Sequence, residues 1–226
     1  MKILPFIPIT FVLAACATSK GLNREGLRGR LSENKTVTED EIKNIYKLKP
    51  QLRKPFKLAL YFEDSQTTKQ QKEIFSDIGA ELKSRGIVSE ITFIDDSIIE
   101  GNNEQRHGKL AIRVAAARTG ADAVLIIKDA TDVETYNNPL GATYFLIAPY
   151  FFIPGSVVDS LSLAKASLWD VRNQYLYFST TAEGTASETR PGMFIENDRV
   201  RRKSKVEALK ALKLELSKEI EKLSSK

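Results

Sequence analysis

The stretch at 123–128 reads Ala-Val-Leu-Ile-Ile-Lys and decides the fold class. Five apolar residues in a row, several of them β-branched, predict a short strand that is buried on both faces. Such a strand is typical of the centre of a parallel sheet, which has helices packed above and below it. The helices that would cover it should therefore lie elsewhere in the chain.

Two strand–helix pairs precede this central strand. Residues 56–62 are a short apolar run rich in strand formers. Residues 87–94 predict a second strand, in which Ile87, Ile91 and Phe93 share one face. Residues 67–85 and 103–119 carry apolar side chains at helical spacing, and each of these segments ends at a glycine. The order β-α-β-α-β predicts parallel strands with right-handed crossovers.

The pattern changes after the central strand. Residues 159–171 predict a long strand, and a tight turn at 172–174 leads to its hairpin partner at 175–184. Residues 198–223 predict a C-terminal helix with an apolar stripe. The predicted fold class is α/β (α+β): a mixed sheet built as β-α-β-α-β, followed by an antiparallel hairpin meander and a C-terminal helix.

The segment at 142–158 is apolar enough to resemble a membrane span, but it is too short and is broken by Gly155 and by a proline at each end of 149–154. Because most large apolar side chains are buried, we expect a core strand followed by a loop. The alternative is an exposed tip that contacts a partner or a membrane. The candidate partner-binding residues of that tip are Tyr150, Phe151 and Phe152.

The first 15 residues have the layout of a secretory signal peptide, with Lys2 at a positive start and an apolar run at 3–12. The stretch 13–16, Leu-Ala-Ala-Cys, resembles the lipobox of bacterial lipoproteins. The resemblance implies cleavage before Cys16 and a lipid thioether on its sulfur, with acyl chains such as palmitate that anchor the protein in the membrane. The alternative is an ordinary cleaved signal with a chance cysteine. The position of Cys16, which is the only cysteine, argues against it.

The residues that follow Cys16 bear on localisation. In enteric lipoproteins an aspartate directly after the cysteine retains the protein in the inner membrane, and Ala17 stands there instead. The resemblance therefore favours the periplasmic face of the outer membrane over the inner membrane. Residues 16–52 are predicted to form the acylated N-terminus and a polar tether, with a short helix near 38–47, and residues 53–226 a single α/β domain.

The sequence predicts no enzyme, no cofactor and no metal site. His107 is the only histidine and Cys16 is committed to lipid, which leaves too few soft ligands for zinc. Glycine-rich phosphate-binding motifs are absent. Asp95 and Asp96 are candidates for a carboxylate-dependent hydrolase, but neighbouring strand residues point apart. The net charge of +5 is compatible with attraction to anionic lipid headgroups or cell-wall polymer and requires neither. Nucleic acid is not an expected partner, because an exported protein does not meet it.

The densest run of positive charge lies at 199–205 and reads Arg-Val-Arg-Arg-Lys-Ser-Lys. Cations at the start of a helix oppose the helix dipole, so their presence hints at a function. They could bind lipid headgroups or another polyanion, and the alternative is an ordinary solvated helix face. The candidate partner-binding residues here are Arg201, Arg202 and Lys203.

The order of elements is similar to the small α/β domain of the curli-secretion (CsgG) lipoproteins and the penicillin-binding-protein activator lipoproteins. Residues 120–127 resemble their Gly-Ala-Asp-aliphatic strand, and 164–178 their hairpin. A closer resemblance, over most of the mature chain, is to the rhombotarget lipoprotein family, and it is carried by 54–60, 144–161 and 198–208. It implies a fold and a compartment, and it brings no catalytic residues.

The sequence therefore predicts a non-enzymatic, membrane-anchored envelope lipoprotein whose domain binds another envelope protein. One alternative is an oligomeric outer-membrane secretion or assembly component of CsgG type. The other is the envelope hydrolase that would use Asp95 and Asp96.

Overall fold

The structure is a computed structural model that describes residues 19–32, 38–63, 69–99 and 108–224. The predicted signal peptide, Cys16 and His107 lie outside the described residues. Within them, the chain forms five strands: β1 (Phe56–Phe62), β2 (Val88–Ile94), β3 (Ala123–Asn137), β4 (Ser156–Asp170) and β5 (Leu176–Arg190). The helices are α1 (Arg24–Leu31), α2 (Glu39–Tyr46), α3 (Lys69–Ser84), α4 (Lys109–Arg118), the one-turn α5 (Pro149–Phe152) and α6 (Asn197–Ser224).

The strands form one mixed sheet in the order β2-β1-β3-β4-β5. β1 pairs in parallel with β2 and β3, whereas β3–β4 and β4–β5 are antiparallel. The predicted fold class is thus confirmed, including the hairpin meander and the C-terminal helix. β3 continues nine residues beyond the predicted strand, which ended at Lys128. That second half is mostly polar and pairs with β4 alone, because β1 has already ended.

Helices cover both faces of the sheet, as the continuous apolar run of β3 predicts. α3 and α6 pack on one face, and α4 packs on the other, where β1 and the first half of β3 lie. Successive strand residues alternate between the two cores. Leu58, Leu60, Leu125 and Ile127 face α3 and α6, while Ala59, Tyr61, Val124 and Ile126 face α4.

α6 approaches β4 and β5 unusually closely. Ser204 of α6 makes hydrogen bonds of 2.7 and 2.8 Å with Ser160 and Ser162 of β4, and all three hydroxyl groups are buried. On β5, a Cβ atom at Gly184 would lie 2.1 Å from the backbone nitrogen of Ala208. Small residues on both sides therefore let the helix lie directly against the sheet.

Part of the predicted tether is packed on the domain. α1 covers the outer half of β3 and β4, which the ten-residue α4 does not reach. Leu27 and Leu31 are buried there against Ala130, Leu161 and Leu163. Residues 19–32, which were predicted as part of the polar tether, are therefore packed on the domain, because two leucines four residues apart give this short polar helix one buried edge.

The helix predicted near 38–47 is observed as α2. Thr38 and Glu41 form the capping box that its sequence indicates. No side chain of α2 is buried, and Tyr46 is largely exposed. Within the described ranges, none of the helices has the length and apolar character needed to cross a bilayer.

Candidate interaction surface

Residues 138–155 connect β3 to β4 at one end of the sheet. The expectation of a core strand followed by a loop is wrong here. The segment forms a 3-10 helix, Pro139–Phe145, and then the one-turn α5. β3 and β4 are already paired with each other along their full lengths, so no strand edge is free beside this segment. It must therefore fold back on itself beyond the sheet.

Local hydrogen bonds hold this connection in a fixed shape. Asn138 caps the 3-10 helix, because its Oδ1 accepts from the Leu140 N–H at 2.9 Å. Its Nδ2 donates to the Pro154 carbonyl at 3.0 Å, which closes the base of the connection. Gly141 and Gly155 touch there, since a Cβ atom on Gly155 would lie 2.5 Å from the Gly141 nitrogen. Both glycines are required by this close approach.

The hydroxyl group of Tyr144 joins three segments of the connection. It donates to the Ile153 carbonyl at 2.8 Å and accepts from the N–H groups of Gly155 at 2.7 Å and Gly192 at 3.1 Å. The ring of Tyr150 packs edge-on against that of Tyr144, with 5.2 Å between centroids. A single phenol thus ties the β3–β4 connection to the short 3-10 helix Gly192–Phe194, which follows β5.

This rigid frame presents large apolar side chains to solvent. Phe152 is 80% exposed, Ile147 78% and Phe145 71%. Tyr150 and Phe151 are each 38% exposed. All three candidate partner-binding residues of this segment are therefore accessible to solvent, as the alternative of an exposed tip predicts. We call residues 139–153 together with 192–195 the apolar tip. Its exposed members are Leu140, Phe145, Leu146, Ile147, Tyr150, Phe151, Phe152, Met193 and Phe194.

Sequence reasoning missed several of these residues. Met193 and Phe194 join the surface because their 3-10 helix packs beside α5, and Tyr150 fills the space above Gly192. The signal that could have found the wider surface is the absence of charge. No charged residue occurs in 138–155 or in 191–195. An apolar patch of this kind on a single chain marks an interaction site more often than chance exposure.

The basic run at 199–205 lies at the same end of the molecule, in the first turns of α6. Two of its members have structural roles. The guanidinium group of Arg199 pairs with Glu188 of β5, and the Lys205 ammonium group lies 3.0 Å from the Asp129 carboxylate on β3. These pairs fasten the start of α6 to the sheet, so they are not available to a ligand.

The three predicted partner-binding cations are exposed. Arg201 makes a 3.2 Å ion pair with Asp198 on the same helix. Among the residues that the structure describes, Arg202 and Lys203 show no ion pair. In the described part of the chain, no group of three or more histidine, cysteine, aspartate or glutamate side chains is arranged to hold a metal ion.

The start of the described chain lies beside the tip. The Ser19 hydroxyl group donates a 2.7 Å hydrogen bond to Glu134, and the backbone N–H groups of Lys20 and Gly21 donate to the same carboxylate. Glu134 stands near the end of β3, three residues before its last residue, Asn137, and the tip begins at Pro139. Residues 19–21 are therefore held near the tip end of the sheet.

The opposite end of the sheet is occupied by structural polar contacts. The Tyr177 hydroxyl group donates to the buried Asp170 carboxylate at 2.8 Å and accepts from the Leu52 N–H at 2.8 Å. Burial and the hydrogen bond to Asp170 raise the pKa of Tyr177 to about 12. Arg113 donates to the carbonyl of Arg172 at 3.1 Å, and burial lowers its pKa. These groups hold the β4–β5 turn.

Asp95 and Asp96 have separate roles in the fold. Asp95 caps a 3-10 turn by accepting from the Ser97 N–H at 3.0 Å, and this hydrogen bond lowers the pKa of the Asp95 carboxyl group. Asp96 accepts a 3.0 Å hydrogen bond from the Tyr61 hydroxyl group. Burial, followed by that bond, raises the pKa of Tyr61 well above its usual value. Each carboxylate thus has a partner that accounts for its position.

Solved structures with a similar chain path include bacterial lipoproteins. A minor lipoprotein of Acinetobacter baumannii is 11% identical, with a TM-score of 0.39, over 74% of this chain and 90% of that one. A lipoprotein of Neisseria meningitidis is 15% identical, with a TM-score of 0.34, over 76% and 100%. A protein of Helicobacter pylori, described as a homologue of a neuraminyllactose-binding hemagglutinin, is 13% identical, with a TM-score of 0.39, over 76% and 90%.

No protein-family model matches the chain, and no curated protein matches its sequence. The TM-scores of the three structures are all below 0.5, so none of their properties carries over to this protein.

Proposed function

We propose that the protein is a lipid-anchored lipoprotein of the bacterial envelope whose apolar tip binds another component of that envelope, and that its role is binding and not catalysis. The observation that carries the proposal is the exposure of uncharged aromatic and aliphatic side chains on the fixed frame built around Tyr144. Large apolar patches exposed to water usually mark sites that contact a protein or a membrane.

The anchor is proposed from the sequence. Leu13, Ala14 and Ala15 before Cys16 resemble a lipobox, and the absence of aspartate after the cysteine favours the periplasmic face of the outer membrane. Membership of the rhombotarget-like lipoproteins is proposed on the resemblance of residues 54–60, 144–161 and 198–208. Metabolic labelling with an alkyne analogue of palmitate should label the wild-type protein and leave Cys16→Ser unlabelled. Equal labelling of both would overturn the anchor.

The binding surface is tested by photo-crosslinking in intact cells. A benzoylphenylalanine residue placed at Phe152 in the full-length protein should give an adduct with an envelope component, either a protein or a lipid. The matched control carries the same residue at Leu214, an exposed leucine on α6 outside the apolar tip. Adducts at Leu214 alone, or identical adducts at both positions, would overturn the tip as the binding surface.

A further inference from the structure

We infer that the apolar tip contacts the lipid bilayer itself, with Arg201, Arg202 and Lys203 facing anionic headgroups. The inference rests on the proposed function in one respect, because it takes Cys16 as the site of the lipid anchor. It names the envelope component that the tip meets and thereby fixes the orientation of the domain on the membrane.

The path of the chain brings the anchor to the tip end. Ser19 is hydrogen-bonded to Glu134, at the tip end of β3. Cys16 precedes Ser19 by three residues, and three residues of fully extended chain span at most roughly 11 Å. A lipid on Cys16 therefore holds this end of the domain within reach of the bilayer surface, whatever conformation the intervening residues adopt.

The rest of the N-terminal segment runs away from that end. Lys165, in the middle part of β4, donates to the Leu31 carbonyl at 3.4 Å. Asn173, at the β4–β5 turn, donates to the Lys49 carbonyl at 2.7 Å. The 15 residues of β4 span roughly 50 Å at the usual rise of a strand. The described parts of the predicted tether thus contact the sheet at points farther and farther from the tip, and they do not separate the tip from the membrane.

The composition of the tip fits a bilayer better than a protein partner. A protein interface normally combines an apolar centre with a polar and charged rim. Here 18 consecutive residues, 138–155, contain no charged side chain, and the neighbouring 191–195 adds none. Aromatic side chains such as Tyr150 and Phe152 favour the boundary between headgroups and acyl chains. The side chains project outward from one end of the domain, as shallow insertion requires.

Positive charge follows directly behind the apolar side chains. Residues 196–205 contain five basic and two acidic side chains, an excess of three positive charges. Asp198 is paired with Arg201, and Glu188 of the adjacent strand is occupied by Arg190 and Arg199. Cations near an anionic leaflet strengthen binding by about fivefold each, and the effect weakens with salt. This arrangement also explains why cations stand at a helix start, where the helix dipole disfavours them.

The test measures flotation of the mature chain, residues 16–226 with Cys16→Ser, so that the acyl chains do not contribute. The probes are vesicles of phosphatidylcholine alone and vesicles that also contain phosphatidylglycerol. The chain should float with the anionic vesicles, and raising the salt concentration should reduce the bound fraction. If the chain floats with neither kind of vesicle, the inference is overturned.

Two double variants and their matched controls assign the contact. Phe145→Ser with Phe152→Ser should lower the partition coefficient at least tenfold, and Leu214→Ser should leave it unchanged. Arg202→Glu with Lys203→Glu should abolish the preference for anionic vesicles. The control with the same change in net charge is Lys210→Glu with Lys218→Glu, farther along α6. Equal losses in variants and controls would show nonspecific adsorption and would overturn the inference.

Other occupants of the tip give different results. If the tip binds a second copy of this chain, sedimentation should show dimers that Phe145→Ser with Phe152→Ser abolishes, without flotation. If it binds an envelope protein, the photo-crosslink at Phe152 should contain protein and no lipid. Either result overturns the bilayer contact and leaves the proposed binding role standing.

The anchor and the bilayer contact fail separately. If the wild-type protein is acylated but the Cys16→Ser variant does not float, the anchor stands and the bilayer contact is overturned. If the Cys16→Ser variant floats but the wild-type protein takes no acyl label, the bilayer contact stands and the anchor is overturned.

Discussion

Ser19 donates a 2.7 Å hydrogen bond to Glu134, a residue 115 positions later in the chain. The bond fixes the beginning of the described chain beside the apolar tip. It also makes α1 part of the folded domain, since α1 starts only five residues after Ser19. The beginning of the described chain and the exposed side chains of the tip therefore lie at the same end of the sheet.

The packing of α1 predicts that Leu27 contributes to stability. Leu27→Ala should lower the free energy of unfolding by about 2–5 kcal/mol, because it removes a fully buried side chain and leaves a cavity between α1 and the sheet. Chemical denaturation of the mature chain measures this change. The control Leu214→Ala removes an exposed leucine and should cost less than about 0.5 kcal/mol. Equal, small effects would mean that residues 19–32 are a free tether.

The close contact between α6 and β5 predicts that Gly184 tolerates no side chain. Gly184→Val should destabilise the protein by more than about 2 kcal/mol, because its side chain would meet the backbone of α6 at Ser204 and Ala208. Thermal unfolding followed by circular dichroism measures the loss. Gly29→Ala, in α1, has open space at its Cβ position and should be neutral or stabilising by about 0.5–1 kcal/mol. A stable Gly184→Val variant would contradict this packing.

The raised pKa of Tyr177 predicts a loss of stability at alkaline pH. The pKa in the folded protein is about 12, above the usual value near 10, so folding favours the neutral phenol. The stabilisation that results from this pKa shift is complete below pH about 10 and is lost as the pH rises through about 12. Tyr177→Phe should cost about 1–3 kcal/mol at pH 7, because the buried Asp170 loses a hydrogen-bond donor.

Denaturation of wild type and Tyr177→Phe between pH 7 and 12 separates Tyr177 from Tyr61, whose pKa is also raised and which both proteins retain. The difference in stability between the two proteins should shrink above pH about 10. A difference that stays constant with pH would show that Tyr177 does not ionise differently in the folded and unfolded states.

The hydrogen bonds of the Tyr144 hydroxyl group predict that its removal makes the apolar tip more mobile. In Tyr144→Phe, the N–H groups of Gly155 and Gly192 lose their acceptor, and their hydrogen exchange should become at least tenfold faster. Exchange measured by mass spectrometry or NMR checks this, and amides in the centre of β4 should change little. Tyr46→Phe, which alters an exposed ring on α2, is the control and should leave the tip unchanged.

The fold could be predicted from sequence wherever residues are buried on both faces. β1 and the first half of β3 are almost entirely apolar, and the α6 stripe at Leu209, Leu212 and Leu216 has regular helical spacing. β2 was predicted instead from the apolar residues on one of its faces. The second half of β3 was missed because a strand with solvent access needs only weak alternation, and 129–137 contains four acidic or amide side chains. α1 was missed because two leucines in a polar octamer become significant only beside an uncovered sheet.

The surface was harder to predict, because burial follows from the pairing of distant strands. An apolar stretch such as 142–153 is usually core, and it is exposed here only because β3 and β4 already pair with each other. Met193 and Phe194 reach the tip through β5, whose path depends on the whole sheet. The basic residues were recognisable from their density in sequence, whereas the pairing of Arg199 and Lys205 with the sheet was not.

The hydrogen bond between Ser19 and Glu134 predicts that Cys16 and the apolar tip lie at the same end of the domain. In the non-acylated mature chain, Cys16 is the only thiol, so spin labels on Cys16 and on either Phe152→Cys or Arg53→Cys give one defined distance each by double electron–electron resonance. We predict a shorter mean distance for 16–152 than for 16–53, because the second pair spans most of β3, roughly 40 Å. A mean distance for 16–152 that equals or exceeds the one for 16–53 would contradict this arrangement.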